Sequence, residues 1–297
     1  MIRRRRRTDR AEFWGCSRFP DCRGTSDLTA IRSVRHAGAS WDDPQWADAA
    51  AGRSARAVFA QRSARHWATV WRRTPLIVGQ AVVVTFVGLA LAGSALGPQW
   101  QPAGWGLVLV GILSGLTRLF VLPDRIRAWN TGADGEVRTA DLLAPLAAEG
   151  FVLLHDLRIP NSRGNIDHVV IGPPGVFVVE TKSYGGRIRV RSGELVVNGR
   201  RRTGVVDQVT RQAAVVSSAL EDVHVGRIIC VHRAEFPLFG APRLEGVPIV
   251  DGRGLVRILR EAPYVLTLDD VPRLVKHLTS RLRPAVRTAG AIDRSGR

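Results

Sequence analysis

Lysine is almost missing from this chain. Of 43 basic residues only Lys182 and Lys276 are lysines, so any role that needs an ammonium rather than a guanidinium falls to one of these two. Cysteine is scarce too. Cys16, Cys22 and Cys230 are too few to imply a disulfide framework, and Cys230, inside the apolar run 228–231, reads as a buried hydrophobe. Residues 76–122 contain no acid and a single arginine, Arg118. The GxxxxGK[ST], GxSxG and HExxH patterns are absent, which excludes the commonest sequence routes to P-loop, serine-hydrolase and zincin chemistry.

What the chain has is arginine. The formal charge is +17, and residues 1–75 alone hold 16 arginines against 7 acids. Such a balance favours anionic partners, either nucleic acid or the anionic face of a membrane, and charge alone does not choose between them.

Residues 76–122 bear on the compartment. Positions 76–96 are interrupted only by Gln80, Thr85 and Ser94, and a second apolar run covers 104–122. Both are long enough to cross a hydrocarbon core of ~30 Å. The link between them carries no charge, Trp100 and Trp105 sit where an aromatic belt belongs, and the outer flanks are basic at Arg72, Arg73, Arg118, Arg125 and Arg127. The positive-inside rule then places both termini in the cytoplasm, making a two-pass protein of the cell membrane. The alternative, a buried helical hairpin of a soluble protein, leaves this charge asymmetry without a cause. Residues 1–10 are an arginine block without the apolar segment of a signal peptide. Between positions 44 and 73 an Ala- and Arg-rich stretch, with Trp67 and Trp71 one turn apart, suits a juxtamembrane helix.

The chemistry concentrates further on. Residues 165–172 and 175–184 are β-rich runs separated by Pro173-Pro174, a hairpin signal. A turn centred on the two prolines pairs each position with the one that brings their numbers to a sum of 347, so Asp167 stands opposite Glu180. Alternation along the strand puts Lys182 on the face of Glu180. Two carboxylates and an ammonium on one patch can hold a hard divalent cation and position a water. A solvated Glu–Lys ion pair is the plainer reading, but strongly apolar neighbours make unpaired charge costly here. Glu136, Ala140, Leu143 and Ala147 follow a helical stripe, so Glu136 points toward the sheet or is a first-turn acid favoured by the helix dipole. His168 falls on the strand face opposite Asp167 and reads as structural.

The ordered set Gly132-Ala133-Asp134-Gly135-Glu136, then 165–170 with Asp167, then 176–182 with Glu180-Thr181-Lys182, resembles the nuclease-related domain, NERD. That family is similar to the PD-(D/E)XK, restriction-endonuclease-like nucleases. The resemblance implies an α/β fold, a mixed sheet flanked by helices, here preceded by a two-helix transmembrane hairpin. It implies that Asp167, Glu180 and Glu136 bind Mg2+ or Mn2+, that Lys182 orients water or stabilises charge on the phosphorane, and that a glutamine on the helix after the Glu-x-Lys strand assists. Gln208 is the choice for that glutamine, with Gln212 one turn on. The implied partner is nucleic acid, DNA before RNA, and the implied activity is phosphodiester hydrolysis. The alternative is a non-catalytic, membrane-tethered DNA-binding or scaffolding protein.

Residues 13–25, with Cys16 and Cys22, resemble the second half of a topoisomerase-type C4 zinc ribbon. Two thiolates do not close a tetrahedral zinc site, so zinc is expected only if the natural start lies upstream and supplies another cysteine pair. The expected order is a partial ribbon at 1–25, a polar linker and basic helix at 26–75, two spans at 76–122, the nuclease-like domain at 132–233, an α/β extension at 234–283 and a disordered tail at 284–297. Strands are expected at 151–157, 186–190, 194–197, 228–232 and 247–250. Helices are expected at 205–221 and around Val271 to Leu282. Arg187, Arg189 and Arg191 alternate on one strand face, lining either a nucleic-acid groove or a solvated edge.

Overall fold

A computed structural model describes residues 50–93, 97–162, 164–237, 240–267 and 269–285, together with the backbone of 2–5, 12–15 and 25–27. Cys16, Cys22 and positions 286–297 of the expected tail lie outside the described residues. The chain divides into two compact units, one of residues 55–130 and one of residues 1–54 with 131–297.

In the first unit, α1 (Arg53–Ala92) and α2 (Gln101–Phe120) are long and apolar enough to cross a membrane by length and composition. The basic stretch and the first apolar run, expected as separate helices, form one helix that continues through Pro75. The ring removes one backbone hydrogen bond there without ending the helix. Small residues face inward: a Cβ on Gly88 would stand 2.7 Å from Gly104 O, and one on Gly111 would stand 2.6 Å from Thr85 Oγ1. Large apolar side chains face outward, Phe86 being 67% exposed and Phe120 72%. Small residues within and bulky apolar ones without is the arrangement helices adopt against lipid.

The second unit begins with three short antiparallel strands, β1 (Ile2–Arg5), β2 (Glu12–Gly15) and β3 (Thr25–Asp27). Its main body is a mixed sheet of eight strands: β4 (Val152–Arg158), β5 (Asn165–Gly172), β6 (Gly175–Arg191), β7 (Glu194–Val197), β8 (Arg200–Arg201), β9 (Val225–Glu235), β10 (Arg243–Leu244) and β11 (Val247–Val250). The order is β10-β11-β9-β6-β5-β4, with β7 and β8 extending from the far half of β6. β5 and β6 pair antiparallel in the expected register, Val169 with Val178 and Gly172 with Gly175. β6 and β9 are parallel, joined through α4 (Val205–Ala219).

Strand alternation sorts the apolar residues into two cores. Val169, Val178 and Ile229 meet α4 and α6 (Asp270–Arg281) on one face of the sheet. Val170, Val179 and Ile228 meet Leu143, Leu146 and α5 (Gly252–Glu261) on the other. The domain is thus a helix–sheet–helix sandwich, an α/β fold in which neither sheet face is wet.

Other elements also differ from expectation. β6 runs unbroken for 17 residues, because the extra residue at Ser183/Gly186 is absorbed as a bulge. Residues 124–131, between the expected spans and the expected nuclease-like domain, are the first turns of α3 (Asp124–Leu143). The stripe on α3 then shifts from Leu143 to Leu146 rather than Ala147, because a 3-10 turn (Ala144–Glu149) with a period of three follows. α5 was not expected, since two glycines in Gly252-Arg253-Gly254 hide a helix that Asp251 caps through Gly254 N.

Candidate active site

The β5–β6 ladder ends at His168–Val179, one step short of Asp167 and Glu180. There the strands part. Asp167 turns its Oδ2 to accept the backbone N–H of Thr181 at 2.9 Å, taking over where the ladder stops. Glu180 is 1% exposed, and both of its oxygens are engaged. Oε1 lies 2.5 Å from Lys182 Nζ, and Oε2 accepts from Gln212 Nε2 at 2.7 Å. Lys182 also donates to Gln208 Oε1 at 3.0 Å, so two of its three protons have partners.

Glu136 arrives from α3. A Cβ on Gly135 would stand 2.2 Å from Ser183 Oγ and 3.3 Å from Thr181 Cγ2, so the helix lies close against β6 here. The next residue, Glu136, is buried, and its Oε2 has no hydrogen-bond partner among the described residues. Burial first, then the charges of Asp156 and Glu180, push its pKa up to about 8, although the N–H of Gly52 and the Lys182 ammonium pull the other way. Asp167 is also raised well above the ordinary carboxylate value, by burial and then by Glu180 and Glu136. Burial alone would lower Lys182, but Glu180 and Asp167 outweigh it and hold the ammonium protonated.

A fourth carboxylate belongs here. Asp156 is fully buried on β4, and the pairs His155–His168 and Leu157–Ile166 on either side place it opposite Asp167. Its backbone is left-handed, with φ of 52°. Its Oδ2 accepts from Ser54 N at 2.7 Å and its Oδ1 from Asn165 Nδ2 at 2.8 Å. Asp156, Asp167 and Glu180 therefore form a row across three neighbouring strands. The signal for Asp156 was the register of a third strand, and positive φ in a β-run leaves no mark on the hydropathy pattern.

Gln212 is the second residue that sequence reasoning passed over in favour of Gln208. It is 1% exposed and bridges Glu180 to the carbonyl of Asn165, at 3.1 Å. Gln208 serves Lys182 instead. Both face the sheet because they are one turn apart on α4.

His168 lies on the far face, as expected. Its Nδ1 is 2.8 Å from His155 Nδ1 and its Nε2 is 3.1 Å from Thr181 Oγ1. The network continues from Thr181 to Thr139 Oγ1 at 2.9 Å and on to His232 Nε2 at 2.7 Å. Burial holds all three imidazoles below their ordinary pKa, His155 at about 4, so this hydrogen-bonded network is uncharged at neutral pH. It braces Thr181, whose N–H holds Asp167.

Four carboxyl groups and one ammonium leave an excess of negative charge, and two buried oxygens, Glu136 Oε2 and Gln212 Oε1, have no partner among the described residues. Hard oxygen donors with surplus negative charge fit Mg2+ or Mn2+. Among the described residues, however, no group of three or more His, Cys, Asp or Glu side chains is already gathered to hold a metal ion. A cation has to compete with Lys182 for Glu180.

No solved structure matches the chain significantly. An uncharacterized protein of Bacillus anthracis is 35% identical over 85 residues, a stretch that makes up 28% of this chain and 39% of that protein. The chain therefore spans well under half the length of that curated relative. Residues 131–233, which contain Glu136, Asp167, Glu180, Lys182, Gln208 and Gln212, match the family model of the nuclease-related domain, and the chain carries such a domain.

Proposed function

We propose that the domain hydrolyses phosphodiester bonds of DNA with the help of a divalent cation. The observation that carries this reading is the meeting of Glu136, Asp167 and Glu180 with Lys182 in one buried cluster within a nuclease-related domain. Asp167, Glu180 and Glu136 would hold Mg2+ or Mn2+, which supplies a Lewis acid for water and phosphate oxygens. The remaining groups have definite tasks. Gln212 orients Glu180 through Oε2. Thr181 N–H fixes Asp167. Lys182, held between Glu180 and Gln208, keeps one N–H for the attacking water or for charge developing on phosphate.

The same reading places the domain at the cell membrane. Two apolar helices, bulky side chains turned outward and basic flanks support a two-pass anchor with both termini and the nuclease-like domain in the cytoplasm. Zinc at Cys16 and Cys22 remains tied to a cysteine pair upstream of this sequence.

One observation favours a second reading. Both oxygens of Glu180 are already satisfied by protein donors, which suits a membrane-tethered DNA-binding module that does not turn over. Plasmid cleavage by the full chain in detergent separates the two. The full chain is required because Gly52 and Ser54 donate to Glu136 and Asp156. Cleavage that needs Mg2+ or Mn2+ and is lost in Asp167→Ala supports hydrolysis. Salt-sensitive DNA binding that survives this substitution, without cleavage under either metal, supports the second reading.

A further inference from the structure

Beyond the bulge, β6 leaves the carboxylate cluster and becomes a ladder of arginines. Arg187, Arg189 and Arg191 are exposed, while the intervening Ile188 and Val190 turn into the core. Alternation therefore gathers the three guanidinium groups on one face, about 6.7 Å apart along the strand. β7 and β8 fold back beside them, and the resulting concavity of about 720 Å³ is lined by all three together with Arg201. Two acids lie within it. Glu194 pairs with Arg201 at 3.0 Å and Glu235 with Arg187 at 3.7 Å. Arg189 and Arg191 have no ion-pair partner among the described residues. Across residues 185–204 the sequence carries six arginines against one glutamate.

Keeping unpaired arginines two residues apart on one strand face costs stability through mutual repulsion. An anionic ligand with the same repeat removes that cost. We infer that this groove binds the sugar-phosphate backbone of a nucleic-acid strand, with Arg189 and Arg191 each on a phosphate and Arg187 and Arg201 at the margins. The spacing along the strand is close to the separation of successive phosphates in an extended chain. Planar guanidinium forks suit phosphate oxygens. A lipid surface fits less well, because the site is concave and Val196 is the one large apolar residue in its lining, Ile188 and Val190 being turned into the core. The inference rests on nucleic acid being the partner, and it names where the strand runs: along β6, the strand that also carries Glu180 and Lys182.

Fluorescence anisotropy with labelled single-stranded and duplex oligodeoxynucleotides, using the full chain in detergent across a salt series, tests it. The double variant R189Q/R191Q is expected to lower the slope of log affinity against log salt by about 1.4 on single strands and about 1.8 on duplex, two phosphate contacts in each case. The arm with the fuller loss identifies the form the groove takes. The control R253Q/R257Q removes two exposed arginines from α5, well apart in sequence, and is expected to leave the slope nearly unchanged. An unchanged slope in R189Q/R191Q overturns the inference. So does an equal loss in the control, or a loss of binding to phosphatidylserine vesicles while oligonucleotide binding is kept. Circular dichroism and melting of both variants guard against misfolding. The readout needs no turnover. A protein that never cleaves yet shows the slope change keeps the groove and loses the nuclease reading. Metal-dependent cleavage with an unchanged slope does the reverse.

Discussion

Thr181 N donates to Asp167 Oδ2 at 2.9 Å at the point where the β5–β6 ladder stops. Continued pairing would have tied the backbone of Asp167 to that of Glu180. The carboxylate substitutes for the ladder instead. The strands open, and Glu180 is left to Lys182 on its own strand and to Gln212 on α4. One hydrogen bond thus explains why charged residues emerge here from two strands that are otherwise continuous core.

Gln212 is expected to act on metal binding through Glu180. Gln212→Leu keeps the volume but removes both Nε2 bonds, leaving a buried carboxylate oxygen without its donor. Loss of such a supporting partner costs about 10–100-fold in metal affinity. Titration calorimetry with Mn2+ checks this. Equal affinity in variant and wild type would mean that Gln212 only fills space.

Lys182 is expected to separate binding from turnover. In Lys182→Met, Glu180 Oε1 is released from the ammonium, so Mn2+ binds at least as tightly as in the wild type. Cleavage falls by about 100-fold or more, because the donor for water or phosphate is gone. Weaker metal binding in the variant would show that the ammonium organises the carboxylates rather than competing for them.

Stability without metal is expected to fall as pH rises from 6.5 to 8. Glu136 is raised from an ordinary 4.5 to about 8 and Asp167 is raised as well. In this window the folded protein holds protons that the unfolded chain has released. Their contribution is therefore complete below the unfolded pKa and is lost as pH climbs through the folded one. The lowered histidines have the opposite sign, contributing fully above their ordinary 6.5 and less as pH drops, so they do not mask the trend between 6.5 and 8. Melting in chelator should show a fall in Tm of a few degrees, at about 2–4 °C per kcal/mol, flattened by Glu136→Gln and reversed by added Mg2+. A flat profile in the wild type would contradict the assignment.

Gly52 is expected to tolerate no side chain. Its φ is 74°, and a Cβ would stand 2.6 Å from Ala133 O. Gly52→Ala should cost about 1–3 kcal/mol in backbone strain and disturb the N–H that faces Glu136. Asp156→Ala strands Ser54 N and leaves Asn165 Nδ2 with Ser54 Oγ alone, at about 1–3 kcal/mol. Thermal melts of the two variants measure both. A wild-type Tm in each would mean that residues 52–54 are not part of the site.

Much of this was legible in the residues themselves. The Pro173-Pro174 turn and strict alternation fix the hairpin register, and through it the faces of Asp167, Glu180 and Lys182. The helical stripe brings Glu136 to the sheet. Asp156 was hidden because its place depends on pairing between β4 and β5, which no turn signal encodes, and on a left-handed backbone that a β-run conceals. Gln208 and Gln212 differ by one turn on the same face, so spacing could not decide which of them meets Glu180. α5 was hidden by glycines in its first turn. The tie from Gly52 and Ser54 to the site spans about a hundred residues of sequence and is carried by backbone N–H groups, which no side-chain pattern reveals.

The most direct test is plasmid cleavage by the full chain in detergent, with Mg2+ or Mn2+, beside Asp167→Ala and Glu180→Ala. Hydrolysis that requires the metal and falls by about 100-fold or more in both variants, with their fold intact by circular dichroism, is the expected result. Cleavage that is indifferent to both carboxylates, or a complete absence of cleavage with either metal, would contradict a hydrolytic role for this cluster.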